Sequence, residues 1–296
     1  MESMNGVFVV DKPAGWTSHD VVNKMRRIAA TRKIGHLGTL DPLATGVLPL
    51  LMNKATRLAQ FFTRNDKVYE GVIRYGFATQ TYDADGDAAG PDLAPALTPA
   101  MVEESLNAFR GEFAQTPPPV SAKKIGGKKA YELARKGVAV QIPPVTVTVH
   151  ELAVLSVDGS TARIRVSCTA GAYVRSIAHD AGLRMGCGAH LAELRRVASG
   201  PFTISQARTI EELEALAREG RLAEELIPAA QLLPEMPSEI VDQVTEAQIR
   251  QGRQFRVSPF RARAAARHVK ALSRSGELVA IGEARLPNVY QPVIVF

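Results

Sequence analysis

The run from Gly35 to Leu50, GHLGTLDPLATGVLPL, constrains this chain more than any other stretch. It places one carboxylate, Asp41, between a glycine-rich turn and an apolar segment. Gly35, Gly38 and Gly46 permit tight or left-handed backbone. Pro42 fixes its own φ and biases Asp41 toward an extended conformation. The apolar run from Val47 to Met52 reads as a buried strand. Together these features predict that Asp41 is held at the mouth of a strand, with His36 five residues before it. An Asp-Pro pair among glycines is also ordinary turn structure. The residues alone therefore leave catalysis and turn-shaping both open.

Periodicity places this loop in a mixed fold. Val7 to Val10 reads as a strand that stops at Asp11-Lys12-Pro13, and Thr17-Ser18-His19-Asp20 forms a capping-box pattern that starts a helix over 18–30. A short helix is expected over Ala55–Phe62, a half-buried strand over Val68–Tyr75, and a loop over 80–97, which is rich in Asp, Gly, Pro and Ala. A helix near 99–109 leads to Gly111–Thr116, and Pro117-Pro118-Pro119 then forces an extended segment. Val145–Val157 and Ala162–Cys168 are the clearest strands, and Tyr173–Met185 reads as a helix closed by Gly186. An amphipathic helix over 209–226, a linker from Pro228 to Pro237 and strand-like runs around 254–257, 278–282 and 291–296 complete the chain. Strands and helices without a regular βαβ rhythm predict an α+β fold with a mixed, mainly antiparallel sheet. The expected division is a catalytic domain over 1–235 and a small β-rich module over 240–296.

Charge narrows the partner. The 296 residues carry a net charge of +6, unevenly spread. Residues 241–296 hold nine Lys/Arg against four acids, whereas residues 211–240 hold eight Glu against two Arg. Two basic regions flanking an acidic connector suit a polyanion. No apolar run has the length of a bilayer span, and the N-terminal MESMNGVFVVDKP has no basic n-region of a signal peptide. Cys168 and Cys187 lie in no CxxC pattern, which argues against a zinc site or a disulfide framework and for a reduced, cytoplasmic setting.

Further blocks carry chemistry-bearing residues. Lys12, in VDKPAGWTSHD, stands at a strand end where it meets phosphate, carboxylate or solvent. Tyr69, in Lys67-Val68-Tyr69-Glu70, is a packing residue or an aromatic platform for a base. Arg175, in Gly171-Ala172-Tyr173-Val174-Arg175-Ser176, offers a permanently charged fork to a carboxylate. Leu194 precedes the basic pair Arg195-Arg196, which reads as phosphate contacts or an exposed patch. Ser121–Gly137, SAKKIGGKKAYELARKG, has six Lys/Arg and one Glu. It is a phosphate-binding stretch or a solvated face.

These blocks, in order from residue 11 to about 197, resemble the bacterial tRNA pseudouridine-55 synthase family (TruB). The motif G-H-x-G-x-L-D-P-x-A-x-G of that family is matched by Gly35 to Gly46. D-K-P-x-G-x-[TS]-S, G-x-Y-[IV]-R-[ST] and L-R-R are matched by the segments at Asp11, Gly171 and Leu194. The resemblance implies a pseudouridine synthase fold with a PUA-like RNA-binding tail. It implies isomerisation of uridine in the T-arm of tRNA, without cofactor or metal, by a monomer. Asp41 is then the catalytic carboxylate, either attacking the nucleotide or removing a ribose proton. Arg175 keeps it ionised, Tyr69 and Leu194 hold the base, and Tyr173 lines the same pocket. His36 stabilises the flipped state. Lys12, Lys124, Lys128, Lys129, Arg195 and Arg196 meet the RNA backbone. Alternatives within the resemblance are a synthase for another RNA and a non-catalytic tRNA-folding factor.

Overall fold

The computed structural model describes residues 4–120, 124–125, 128–129, 142–258 and 266–296. The chain opens with β1 (Gly6–Lys12), α1 (Ser18–Ile28), β2 (Ile34–His36), β3 (Thr45–Met52) and β4 (Lys67–Tyr75). After α2 (Pro99–Leu106) come β5 (Gly111–Gln115), the paired β6 (Lys124–Ile125) and β7 (Lys128–Lys129), then β8 (Val145–Asp158) and β9 (Thr161–Cys168). Next are α3 (Val174–Met185), β10 (Ala189–Ser199), β11 (Phe202–Thr203), α4 (Ile210–Arg218) and β12 (Ile227–Pro228). The last part holds β13 (Ser238–Ile240), α5 (Gln243–Arg250), β14 (Phe255–Arg256), β15 (His268–Leu272), β16 (Leu278–Leu286) and β17 (Val289–Val295).

Ten strands form one sheet in the order β12-β1-β3-β10-β4-β9-β8-β5, with β2 on β3 and β11 on β10. Only the β3–β10 pair in it is parallel among the described residues. The α+β, mainly antiparallel expectation therefore holds, and the C-terminal part is a separate five-stranded sheet, β13-β15-β16-β17-β14.

The apolar strands are continuous because both faces are covered. Phe8, Val10, Leu48 and Leu50 pack with Val21, Met25, Ile177 and Leu213 of the helices. Their neighbours Val7, Val9, Val47 and Leu51 pack on the other side with Leu58, Phe62 and Leu232. Leu278, Ile281, Ile294 and Phe296 of the second sheet join that same cluster. Alternate side chains of a strand point to opposite faces, so a strand buried on both loses its polar alternation.

Local signals set the helix ends. Thr17 and Asp20 close a reciprocal capping box on α1, and Gly186, with φ of 78°, ends α3. Elsewhere the elements differ from the sequence expectation. The helix over Ala55–Phe62 is a 3-10 helix, Asn53–Phe61. The amphipathic stretch 209–226 splits at Gly220, whose φ is 73°, into α4 and a 3-10 turn. The segment Pro228–Pro237 is no free linker. Ile227 and Pro228 pair with β1, and Ala229, Leu232 and Leu233 are buried between the two sheets. Lys270 of β15 donates to the carbonyls of Ala230 and Leu232, at 3.0 Å each, which ties the segment down. β10 itself carries Glu193, Arg195 and Arg196, which mask its strand pattern in the sequence.

Candidate active site

The Asp41 loop runs between β2 and β3 and is pinned at almost every residue. Ser18 of α1 brackets Leu40, its hydroxyl accepting from the Leu40 amide at 2.8 Å and donating to the Leu40 carbonyl at 3.1 Å. The Pro42 carbonyl accepts from Gly15 N at 2.8 Å and from Lys12 Nζ at 3.2 Å. Arg196 donates through Nη2 to the Gly38 carbonyl at 3.1 Å and through Nε to the Val47 carbonyl at 2.7 Å. Gly46, with φ of 97°, lies so close to β10 that a Cβ would sit 2.3 Å from the Arg196 carbonyl oxygen. A Gly46→Ala variant is therefore expected to lose at least about 2 kcal/mol of stability. Denaturant melts check this, and a wild-type midpoint would refute the close approach.

Arg175 reaches the same loop from the second position of α3. Gln115, at the end of β5, stands in for a missing cap. Its side chain accepts from Tyr173 N at 2.8 Å and donates to the Tyr173 carbonyl at 3.0 Å. Ser176 donates to the Thr116 carbonyl at 2.8 Å. The buried guanidinium forms ion pairs with two carboxylates and hydrogen bonds with two carbonyls. Nε lies 3.0 Å from Asp41 Oδ2, and Nη1 lies 3.2 Å from Asp83 Oδ2. Nη1 also donates to the Thr81 carbonyl at 3.0 Å, and Nη2 to the Val120 carbonyl at 3.1 Å.

Asp83 is the residue that the sequence reading missed. It lies in the loop after β4 and is 3% exposed. That loop is stitched to β10 where Leu191 N donates to the Tyr82 carbonyl at 3.0 Å and Ala84 N to the Leu191 carbonyl at 3.1 Å. The only local signal is an Asp/Gly-rich composition, which reads as a turn. One guanidinium is thus shared by two carboxylates. Burial raises the Asp41 pKa above its ordinary value of 3.8, and Asp83 and Asp85 push it the same way. Arg175 opposes the rise, followed by Lys12, without cancelling it. Arg175 thus limits the rise that burial imposes on Asp41.

Asp41, with its side chain 38% exposed, opens onto a cavity of about 300 Å³. Tyr69, Tyr173, Arg175, Leu194 and Arg196 line the same cavity. Tyr69 faces Arg196 across the β4–β10 ladder. Burial raises its phenol pKa, with Arg196 opposing, so the hydroxyl is a donor at neutral pH. Gly71 lies across from Leu194, and a Cβ there would come 2.9 Å from the Glu193 carbonyl oxygen.

A carboxylate, a shared guanidinium, a protonated phenol and a leucine around one nucleoside-sized cavity suit base chemistry on a flipped nucleotide. Residues 26–174 match the family described as TruB family pseudouridylate synthase (N terminal domain), and residues 175–234 match the tRNA pseudouridylate synthase B C-terminal domain. The chain belongs to the TruB family. It is 58% identical to the tRNA pseudouridine synthase B of Solibacter usitatus over 99% of this chain and 100% of that protein. It is 44% identical to the one from Geobacillus kaustophilus over 87% of this chain and 93% of that protein. Among solved structures, the protein chain in a Cbf5-Nop10-Gar1 complex superposes with a TM-score of 0.71 and 27% identity. That superposition covers 98% of this chain and 84% of the other. An H/ACA RNP bound to a substrate RNA containing 2'-deoxyuridine gives a TM-score of 0.69 and 25% identity, over 99% and 85%. The five-stranded sheet lies beyond the two family matches, which end at residue 234.

Several residues that the family resemblance assigned to the RNA backbone sit elsewhere. Lys12 is fully buried, and its amine donates to the carbonyls of Pro13, Trp16 and Pro42. Burial lowers its pKa to about 8, with Asp41 opposing. It braces the Asp41 loop and has no donor left for phosphate, which corrects its RNA-binding assignment. Arg196 is buried as well and holds the carbonyls of Gly38, Thr39 and Val47, so its charge can act on RNA only through the cavity that it lines. Arg195 points to the other face of β10 and forms a two-bond pair with Asp11, at 3.0 and 2.7 Å. His36 pairs with Leu50 across β2–β3 and does not line the cavity. Burial and Arg196 lower its pKa. Lys124 pairs with Lys129, and Ile125 with Lys128, in the β6–β7 hairpin. The side chains of Lys124, Lys128 and Lys129, and the rest of Ser121–Gly137, lie outside the described residues.

Proposed function

We infer that this chain is a tRNA pseudouridine synthase that converts the uridine at position 55 of the T-loop. The observation that carries the reading is the contact between Asp41 and Arg175 at the floor of a cavity large enough for one nucleoside and walled by Tyr69 and Leu194. Isomerisation breaks the C1′–N1 bond and forms a C1′–C5 bond. C5 then loses its hydrogen to solvent and N1 gains a proton. Asp41 is the carboxylate that acts on the nucleotide. Arg175 offsets much of the cost of its charge in a buried setting. Tyr69 and Leu194 replace the stacking that the base loses on leaving the loop. His36, at the rim of the loop that carries Asp41, supports the flipped RNA. Arg195 and the lysines of the β6–β7 hairpin meet the backbone. Residues 1–235 form the catalytic unit, and the 240–296 module adds RNA contact. The protein works as a cytoplasmic monomer in this reading, which is in keeping with two free cysteines.

The test is tritium release from an unmodified tRNA transcript labelled at uridine C5, with site mapping. Release from the T-loop by wild type, and none by Asp41→Asn, supports the reading. Tight tRNA binding without release moves the chain to another RNA or to RNA folding. A second expectation concerns the hairpin. Lys128→Ala with Lys129→Ala weakens tRNA binding and flattens the slope of log affinity against log salt by about one to two units. An unchanged slope assigns these lysines to solvent.

A further inference from the structure

The sheet wall of the cavity carries a charge pattern that the chemistry at Asp41 does not use. Residues two apart on a strand share a face. Lys67, Tyr69 and Gly71 of β4 thus form one row, beside Leu194 and Arg196 of β10, with Gly71 across from Leu194 and Tyr69 across from Arg196. Along these rows the wall changes from apolar, at Gly71 and Leu194, to aromatic beside cation, at Tyr69 and Arg196, and then to the Lys67 amine. Lys67 is only 8% exposed, yet it lines the cavity together with Thr63 and Gly38. Its Nζ donates to the Asn65 carbonyl. Among the described residues it has no carboxylate within 4.0 Å, and the adjacent Asp66 is paired with His150 at 3.1 Å. Arg196 likewise has no carboxylate within 4.0 Å among the described residues; it holds the carbonyls of Gly38, Thr39 and Val47 and hydrogen-bonds the Tyr69 hydroxyl.

Two cations side by side in a low-dielectric wall, neither paired with an acid, are costly to keep. Burial and the charge of Arg196 both disfavour the Lys67 ammonium. An anion in the cavity removes that cost. The Lys67 amine has three donors, and the Asn65 carbonyl takes one. Two remain for phosphate oxygens.

We propose that Lys67, backed by the charge of Arg196, binds a phosphodiester flanking the target uridine when that nucleotide occupies the cavity. The base lies at the Tyr69–Leu194 end of the wall and its phosphate at the Lys67 end, so the row sets the direction in which the strand threads past Asp41. This proposal rests on the reading of the Asp41 cavity as a uridine site.

The experiment measures tritium release by the full-length protein on three C5-labelled transcripts. One has natural linkages, and the others carry a single neutral methylphosphonate 5′ or 3′ of the target uridine. Wild type, Lys67→Met and Lys67→Arg are compared. On natural RNA, Lys67→Met is expected to raise KM at least about tenfold, the scale of one charged hydrogen-bonded contact. Lys67→Arg retains most of the affinity. Wild type suffers a similar loss with one of the two methylphosphonate transcripts, and Lys67→Met loses nothing further on that same transcript. Losses that multiply at both linkages overturn the proposal, as does a wild-type KM in Lys67→Met. If Lys67→Met does not fold, wild type decides: no loss at either neutral linkage overturns the proposal. Absence of release by wild type on natural RNA instead strikes the underlying reading of the cavity.

Discussion

Asp41→Asn is expected to cut turnover by at least about 10⁴-fold, the scale seen when an enzyme loses its reacting side chain. Affinity for tRNA stays close to wild type, because the substitution keeps the shape of the loop that Ser18, Lys12, Gly15 and Arg196 pin. The fold should not suffer. The folded-state pKa of Asp41 is raised above 3.8. Between that value and the raised one, the folded protein holds a proton that the unfolded chain has released. Stability contributed by this group therefore falls as pH climbs through the window and stays lower above it. Removing the charge removes that penalty, so the variant melts at or above the wild-type temperature at pH 7. A variant that melts well below wild type refutes this account of the pKa. Residual turnover in a preparation free of host enzyme refutes the role of Asp41. On the proposed role of Asp41 as the reacting carboxylate, the same shift places the acid limb of wild-type turnover above 3.8.

Arg175→Gln is expected to damage both stability and activity, because one guanidinium serves Asp41, Asp83 and two carbonyls. Removing it leaves two carboxylates facing each other in a buried site. The loss at neutral pH is about 3–5 kcal/mol, as for other buried pairs broken on one side. It shrinks on acidification, when the carboxyls take up protons. The acid limb of kcat/KM moves up by about one to three pH units, the usual effect of an opposite charge at this distance. Adding Asp83→Asn to Arg175→Gln should recover part of the stability, since the two positions are directly coupled. Arg175→Lys rescues little, because a single ammonium cannot reach two carboxylates and two carbonyls that the extended guanidinium spans. Wild-type stability in Arg175→Gln, or an unmoved acid limb, refutes the shared-cation description.

Local chemistry wrote much of this site into the sequence. The Asp41 loop is legible because Gly38, Pro42 and Gly46 restrict the backbone within a few bonds, and both glycines do adopt positive φ. The ends of α1 and α3 are legible for the same reason: a capping box and a left-handed glycine act within one turn. Apolar runs at Val7–Val10 and Val47–Met52 announce buried strands, because burial on both faces removes every polar position. Tyr69, Arg175 and Leu194 came from a family pattern, and the cavity that collects them required the fold.

Tertiary structure decided which charges are free to meet RNA. Lys12, Arg195 and Arg196 look equivalent as residues in a basic pattern. Strand alternation turns Arg195 to the other face of β10, where it pairs with Asp11 and stays open to solvent, and sends Arg196 into the wall. Lys12, at the end of β1, is buried against the Asp41 loop. Asp83 had no signal beyond a turn-like composition. Its role appears only when the loop after β4 is hydrogen-bonded to β10, more than a hundred residues later in the chain. The segment Pro228–Pro237 carries prolines and a polar flank, and only the facing sheets reveal that Leu232 and Leu233 are core. A sequence states torsional limits and periodicity within a turn or a strand. Which carboxylates share a cation, and which cations lack a partner, depends on strand pairings between distant segments, and those pairings exist only in the folded chain.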